Sequence, residues 1–312
     1  MVKKVLFFGA SVALAFIVTF VPTKIKAADT PATGSVTVVP PRFELFGNPG
    51  EDVPNQALKV TNESTVEGSF MVDMEDFKAV GEDGNVNLME QNSDITYSLA
   101  KWITVNPSSF TLKPKETKII NFSVSIPKNA EPGGRYASII VNMGGQVKVE
   151  GGAVVAPRVV SLVLLRVSGN VKEEASVESF TAPQYSEKAP VKFDLRMKNS
   201  GRNHIKPKGT IIITNLLGQK VDEIQLSGEN VLPGAIRKMT TEWKTNKFLA
   251  GRYTATLVAT YGEKNDKPLS TTVSFFVMTK STAYTLGIGT VALALAFVKR
   301  KSLRKTLHNL TK

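Results

Sequence analysis

The chain has 312 residues, of which 42% are hydrophobic and 21% are charged, a balance typical of folded domains and not of disordered chains. It contains no cysteine, which excludes disulfides, thiolate catalysis and cysteine-ligated zinc sites. The formal net charge of +12 is concentrated at the two ends, with +4 in residues 1–28 and +6 in residues 299–312, so the charge does not indicate a nucleic-acid-binding protein.

Residues 1–28 have the form of a secretory signal peptide. Lys3 and Lys4 precede an uncharged apolar stretch at 5–21, and Ala27 stands at a position suited to cleavage. We therefore predict that the chain is exported. Because the apolar stretch is long for a signal peptide, an uncleaved membrane anchor is the alternative.

The next 140 residues, 29–168, alternate strand-like segments with turn signals. The segments, rich in Val, Ile, Phe and Tyr, are 35–39, 57–61, 119–126, 136–141 and 159–167. Turn sequences such as NPGED and EPGG separate them. Many short strands with regular turns predict an all-β fold, an immunoglobulin-like β-sandwich domain.

Residues 169–280 repeat this pattern, with their strongest strand-like segments at 191–201, 209–218 and 252–262. Three features of the first part recur in the same order: LKVTN as LRMKN, Pro114 with Lys118 as Pro233 with Arg237, and GRYASIIV as GRYTATLV. This recurrence predicts two tandem immunoglobulin-like domains that arose by duplication.

Each copy of the GRY sequence places a glycine two residues before a tyrosine, Gly134 before Tyr136 and Gly251 before Tyr253. We interpret each pair as a structural corner, in which the buried tyrosine hydroxyl bonds the backbone of the preceding corner. The glycine then permits either a positive φ or a close passage of the chain. The functional alternative is an exposed tyrosine that stacks on a sugar ring.

Residues 281–298 are predicted to form a transmembrane helix. The stretch 282–298 carries no charge and spans roughly 25 Å as a helix, against about 30 Å for a bilayer core. The basic residues 299–312 that follow predict a cytoplasmic tail, with residues 29–280 outside the cell membrane. No LPxTG motif precedes Thr282, so the helix itself would retain the protein; a buried apolar helix or strand is the alternative.

The two predicted domains differ in charge, with −4 in residues 29–168 and +6 in residues 169–280. A basic face on the second domain would meet anionic lipid or wall polymers. An ordinary solvated lysine-rich surface is the simpler interpretation.

The sequence contains no recognisable catalytic set. Its two histidines, His204 and His308, cannot pair across the predicted membrane, and no glycine-rich phosphate loop opens a helix. The acidic stretches DMEDF at 73–77 and GEDGN at 81–85 lack the spacing of an EF-hand. We therefore predict no enzyme activity, cofactor or metal site, although a carboxylate pair of an envelope hydrolase stays a remote alternative.

Two tryptophans are weak candidates for a binding surface. Trp102 precedes an apolar strand, and Trp243 has polar neighbours in TTEWKTN. Each is either a core anchor or a platform for carbohydrate.

Three segments together, VVPPRFELFGNPGEDVPNQALKVTNES, the stretch from Trp102 to Val141 and VVSLVLLRVSG, resemble the peptidoglycan-binding domain of WxL-interacting proteins. The resemblance covers about residues 36–169, and PPRFEL, NPGE and PGGRYA are its most specific parts. It implies a bacterial surface protein with a signal peptide, two immunoglobulin-like domains, a membrane helix and a basic tail. It carries no binding residues onto positions of this chain.

Together these patterns predict a membrane-anchored, non-enzymatic binding or scaffold protein of the bacterial envelope. Cell-wall glycan and other surface proteins are the expected partners. A structural spacer or an assembly factor for surface proteins is the alternative, and the oligomeric state stays open.

Overall fold

A computed structural model of the chain describes residues 35–89, 96–144, 147–148, 154–155 and 158–310. The predicted signal peptide, residues 1–28, therefore lies outside the described residues. In the described part, almost all regular structure before residue 279 is β-strand, which confirms the predicted all-β fold.

The first half of the chain forms two facing sheets. Its strands are β1 (Val36–Val39), β2 (Arg42–Gly47), β3 (Asp52–Asn62), β4 (Gly68–Val80), β5 (Asn85–Met89), β6 (Ile103–Asn106), β7 (Ser109–Leu112), β8 (Thr117–Ser125), β9 (Gly133–Gly144), β10 (Val147–Lys148), β11 (Val154–Val155) and β12 (Arg158–Val167). One sheet has the order β1-β3-β8-β6 and the other β2-β12-β9-β4-β5, while β7 pairs with β4 and β10 with β11. We call these two facing sheets the first sheet pair.

Side-chain alternation explains how the first sheet pair closes. Leu58 and Val60 of β3 alternate with exposed neighbours, and they share one core with Phe70 of β4 and Ile139 of β9 from the facing sheet. Apolar residues at every second position give each strand one buried face, so two sheets pack into a sandwich.

The second half of the chain repeats the arrangement. Its strands are β13 (Ala175–Thr181), β14 (Tyr185–Ser186), β15 (Val191–Asn199), β16 (Lys208–Asn215), β17 (Lys220–Gln225), β18 (Ile236–Trp243), β19 (Ala250–Tyr261) and β20 (Lys267–Met278). The sheet β13-β15-β18 faces the sheet β14-β20-β19-β16-β17, and a separate hydrophobic core lies between them. We call these the second sheet pair.

In both sheet pairs the chain begins with two consecutive strands that lie in different sheets. β1 pairs antiparallel with β3 and β2 parallel with β12, and in the second half β13 pairs with β15 and β14 parallel with β20. β6, β7, β10 and β11 have no counterpart among the described strands of the second half. The other strands follow the same order in both halves, which is the order of an immunoglobulin-like sandwich.

A buried asparagine supports the same corner in each half. Asn62 Nδ2 donates to the Leu112 carbonyl at 3.1 Å, and Asn199 Nδ2 donates to the Val231 carbonyl at 2.8 Å. Each Oδ1 accepts from the backbone N–H two residues further on, at 3.0 Å and 2.9 Å. The LKVTN and LRMKN sequences therefore end in equivalent hydrogen-bonded corners.

After β20 the chain continues as one helix, α1 (Lys280–Leu310). Leu286, Ile288 and Leu293 of this helix are more than half exposed. Among the described residues, no helix combines the length and the hydropathy required of a membrane span.

Candidate functional site

The GRY sequence of the first half lies at the junction between the two sheet pairs. Tyr136 of β9 is 3% exposed, and it packs with Phe77 and Leu164 and against Leu232 of the second half. These residues lie on the outer face of the first sheet pair, whereas Ala137, the next residue, faces the core. Second-half residues cover the beginning of this outer face, at Gly134 and Tyr136.

The tyrosines of the two GRY copies lie on opposite faces of their sheets, Tyr136 on the outer face and Tyr253 on the core face. In β19 it is Tyr253 that faces the core, while its counterpart Tyr136 faces outward. A shift of one residue moves a side chain to the other face of a sheet. The prediction of a corner at Tyr136 is therefore wrong: its hydroxyl lies 3.4 Å from Nδ1 of His204, in the second half. The Tyr253 hydroxyl instead accepts a bond from the Ala250 N–H, three residues upstream, at 3.3 Å.

The two glycines differ in the same way. A Cβ on Gly134 would collide with the Tyr136 ring, so Gly134 permits a close approach. Gly251 has open space around it but a φ of +115°, so it permits a backbone conformation that L-residues rarely adopt. The two reasons proposed for a glycine apply to one copy each.

His204 is the buried polar centre of this junction. It is 5% exposed, and its carbonyl accepts a bond from Arg166 Nη2 at 3.0 Å. Burial and the Arg166 charge lower the pKa of His204 to about 4, so the ring is neutral at pH 7. Burial also raises the pKa of Tyr136. Both side chains are almost fully buried, so the arrangement serves the contact between the two halves.

Ion pairs lie around this buried centre, and most of them join carboxylates of the net negative first half to basic side chains of the net positive second half. Arg196 binds Glu82 through two nitrogens at 2.6 and 2.5 Å, and this pairing lowers the pKa of Glu82. Within the described residues, two further pairs join a first-half carboxylate to a second-half base, Arg202–Glu131 at 2.8 Å and Lys206–Glu44 at 3.3 Å. In the opposite sense, Arg166 of the first half pairs with Glu263 of the second at 4.0 Å. Some acidic residues of the first half and basic residues of the second half therefore pair at the junction. Composition alone does not indicate this pairing.

A cleft of about 130 Å³ lies beside the junction, between Phe77 and Leu164 on one side and Asn230 and Arg237 on the other. Ligand pockets for drug-sized molecules usually enclose about 300 Å³ or more. The cleft is therefore small. The Arg237 guanidinium that lines it is already paired with Glu229.

The two tryptophans occupy different environments. Trp243 is 1% exposed in the second core, and its Nε1 donates to Asp222 Oδ2 at 2.8 Å, so it offers no ring face to a ligand and the binding interpretation is wrong for it. This bond lowers the pKa of Asp222. Trp102 is half-buried beside the first core, and the Arg135 guanidinium lies 5.6 Å from its ring centre.

The acidic stretch at 73–77 serves the fold and is part of β4. Asp73 accepts from Asn142 at 2.6 Å, and Glu75 pairs with Arg158 at 2.9 Å. Asp76 accepts the backbone N–H groups of Leu99 and Ala100, both at 2.8 Å, and so holds the 3-10 turn that carries Trp102. Within the described residues no cluster of acids and histidines could hold a metal ion.

The second sheet pair has an open sheet edge at β20. On one side β20 pairs with β19 along its whole length. On the other side, within the described residues, it pairs only with the two residues of β14, at Phe276 and Val277. In the first half, the equivalent strand β12 pairs with β2 over six residues, Leu162 to Val167. Among the described residues, no strand therefore pairs with the outer edge of residues 267–275 of β20, although β13 of the facing sheet lies nearby.

This edge presents uncharged backbone and side-chain groups. The Phe276 N–H points outward and donates to Gln184 at 2.9 Å. Because orientation alternates along a strand, the backbone N–H and C=O of Ser274, Thr272 and Ser270 face the same open side. The side chains of these three residues are exposed too. Sequence reasoning missed this strand, although TTVSFFVM has the required β-branched and aromatic residues.

No family model and no curated protein match the chain. Among solved structures, it is similar to the class 5 fimbriae chaperone CfaA, with 11% identity, a TM-score of 0.38 and coverage of 76% of this chain and 98% of that one. It is also similar to the CsuC–CsuE chaperone and tip adhesion subunit complex of Acinetobacter baumannii, with 12% identity, a TM-score of 0.36 and coverage of 78% and 99%. A protein of unknown function from Porphyromonas gingivalis has 12% identity, a TM-score of 0.29 and coverage of 78% and 100%. These values identify no family for the chain.

Proposed function

We propose that the chain is a non-enzymatic binding protein of the bacterial envelope that holds another surface protein by strand addition. The observation that carries this proposal is the open edge of β20. Ser270, Thr272 and Ser274 each present one backbone donor and one backbone acceptor. An extended partner segment would pair with them, so that main-chain bonds supply affinity and side chains supply specificity.

The composition of this edge supports an interaction role. Proteins protect exposed edges with charged side chains, prolines, bulges or very short strands. Residues 269–275 of β20 contain no charge and no proline, and only Pro268 and β14 limit the open stretch at its two ends. The equivalent edge of the first sheet pair is covered by β2 within the same chain. An uncharged edge of this length fits an extended partner strand that is itself uncharged.

The cellular setting of the proposal comes from the sequence. The signal at 1–28, the apolar segment 281–298 and the basic tail 299–312 support a single-pass protein of the bacterial cell membrane whose residues 29–280 face outward. The two sheet pairs would be tandem immunoglobulin-like domains, 29–168 and 169–280. The resemblance to WxL-interacting proteins agrees with this setting.

The junction favours a second candidate, a rigid spacer. Tyr136 is buried against the second half, and four ion pairs of the described residues join the two sheet pairs. Such a junction would hold the two sheet pairs at one fixed angle. Glycan binding receives less support, because Trp243 is buried and Arg135 lies over the ring of Trp102.

Photo-crosslinking in intact cells separates these candidates. A photo-reactive residue placed at Ser274 is expected to form an adduct with a protein. The same residue at Lys59, which is exposed on β3 between two paired strands, is expected to form none. A spacer without strand addition would give no adduct at either position, and an adduct with glycan at Ser274 would favour the wall.

Proline substitution tests the strand pairing itself. Thr272→Pro removes an outward N–H that bonds no other strand, so the fold should persist while the Ser274 adduct disappears. Thr271→Pro removes an N–H directed at β19 and serves as the matched control that should destabilise the sheet. An undiminished adduct with a folded Thr272→Pro chain would exclude strand addition at this edge.

A further inference from the structure

Three large apolar side chains project from one end of the second sheet pair. Leu216 and Leu217, at the tip of the β16–β17 hairpin, are 76% and 80% exposed, and Phe248, in the loop before β19, is 75% exposed. Turn tips usually carry Gly, Asn, Asp, Ser or Pro, which tolerate water and tight backbone angles. Two leucines in succession at a tip therefore indicate contact with something other than water.

The hairpin tip is held in a defined conformation. Asn215 Oδ1 accepts the N–H groups of Leu217 and Gln219, both at 3.0 Å. Gly218 closes the turn with a φ of +76°, and its N–H donates to the Asn215 carbonyl at 2.9 Å. The side-chain cap fixes the loop, so the two leucines stay exposed and cannot fold back onto the core.

The loop that carries Phe248 lies against the same hairpin. Trp243, the last residue before this loop, donates from Nε1 to Asp222 of β17. Lys247, within the loop, donates from Nζ to the Val221 carbonyl at 3.2 Å. Strand register places this end where α1 begins, because Asn215 is opposite Tyr253 and Ala250 is opposite Met278. We call the end formed by Leu216, Leu217 and Phe248 the apolar tips.

Basic side chains accompany the apolar tips. Lys188 follows β14, Lys247 precedes Phe248, and Arg252 stands near the start of β19. Among the described residues, none of these three side chains has a carboxylate within ion-pair distance, whereas Lys280 is paired with Glu187 at 2.6 Å. Apolar side chains next to basic ones are the composition of surfaces that enter the interface of an anionic bilayer.

The geometry points to an anionic lipid surface as the partner of the apolar tips. β20 ends at Met278, and the predicted membrane segment begins at 281, so the intervening link can span at most about 10 Å. This end of the sheet pair would then rest on the headgroup layer. The inference depends on the membrane anchoring proposed above and adds to it a fixed orientation.

That orientation has a consequence for the open edge. β20 starts at Lys267, at the opposite end of the sheet from the apolar tips, and its 12 residues span about 40 Å. With the tips on the bilayer, the edge at Ser270–Ser274 would stand away from the membrane, where an extracytoplasmic partner can reach it.

Depth-dependent quenching in vesicles tests the inference on the full chain. Leu217→Trp reports on the tips, Leu293→Trp on the predicted span, and Lys264→Trp on the opposite hairpin as a matched control. Each variant is placed in phosphatidylglycerol vesicles with and without brominated acyl chains, and the emission of the parent chain is subtracted. Bromine should quench the Leu217→Trp emission at least about twofold and leave Lys264→Trp unchanged. Phosphatidylcholine vesicles should reduce the effect at Leu217, because they remove the anionic charge.

The three reporters distinguish the two failures. Quenching at Leu293 without quenching at Leu217 leaves the anchor in place and overturns the lipid contact of the tips. Quenching at neither position overturns both the anchor and the contact. A blue shift at Leu217 that bromine does not quench identifies a protein contact and also overturns the lipid assignment.

Discussion

Lowering the pH from 7 to 5 is expected to weaken the fold through one side chain, His204. Burial and the Arg166 charge lower its pKa from 6.5 to about 4. Between these two values the unfolded chain binds a proton that the folded chain does not. The stabilisation is therefore fully present above pH 6.5 and is lost as the pH falls toward 4.

The magnitude follows from the two pKa values. Their difference corresponds to about 3 kcal/mol of unfolding free energy in total, and about 2 kcal/mol of this is lost between pH 7 and pH 5. Solvent screening reduces it little, because His204 is only 5% exposed. Glu44, which lies nearby, has a pKa below the ordinary 4.5, so its protonation adds little in this window.

Urea unfolding of the full chain in nonionic detergent at pH 7, 6 and 5 measures the effect. His204→Asn keeps a polar side chain that cannot be protonated. Between pH 7 and pH 5, the unfolding free energy of this variant should therefore fall by about 2 kcal/mol less than that of the parent chain. An imidazole NMR titration gives the pKa directly, with His308, the other histidine of the chain, as the internal comparison.

Parallel stability curves for the parent and His204→Asn between pH 7 and pH 5 would refute this reasoning. So would an NMR pKa near 6.5 for His204, because it would place the imidazole in water and would open the junction around Tyr136. Tyr136→Phe is the matched control. It removes only the 3.4 Å contact to Nδ1, so the pH dependence should persist.

Three further predictions concern the corners and the cores, and each is measured as a change in the free energy of unfolding. Asn199→Ala removes the bonds to the Asn203 carbonyl and the Gly201 N–H, while the Val231 carbonyl keeps the Ile205 N–H, and it should cost about 2–4 kcal/mol; a value near zero would mean that water replaces the amide. Trp243→Ala should cost about 3–5 kcal/mol, whereas unchanged stability with altered ligand binding would restore its role as a platform. Gly134→Ala should cost about 1–3 kcal/mol, and much less when Tyr136→Leu removes the ring with which the new Cβ collides. Gly251→Ala should cost the same with or without truncation of Tyr253, because its cost comes from the positive φ of residue 251. If truncating the neighbouring tyrosine reduced the cost equally in both halves, the opposite orientations of Tyr136 and Tyr253 would be contradicted.

Local pattern predicted much of the fold. Segments such as 159–167 and 252–262 were predicted as strands and lie in β12 and β19, because runs of β-branched and aromatic residues between turns carry their own signal. The prediction was weaker where local and tertiary effects compete. The acidic residues at 73–77 were not among the predicted strand segments, yet they belong to the 13-residue strand β4, whose carboxylates are bonded to neighbouring segments.

The candidate site was far less predictable. GRYASIIV and GRYTATLV look alike, and the sequence predicted the same role for Tyr136 and Tyr253. Their roles differ because a shift of one residue in the pleat reverses the face of every side chain, and the shift depends on what packs against each face. Similarly, Trp243 has polar neighbours in sequence but a buried ring in space.

By itself, the sequence determined the strand-rich composition, the recurrence of the two halves and the distribution of charge along the chain, since each of these depends on neighbouring residues. Only the tertiary structure decided which tyrosine joins the two halves, which carboxylates meet which bases across the junction, and which strand edge stays open. The physical reason is that burial, ion pairing and edge protection depend on segments far apart in the chain: His204 is 68 residues from Tyr136, and β14 covers two residues of β20 where β2 covers six of β12.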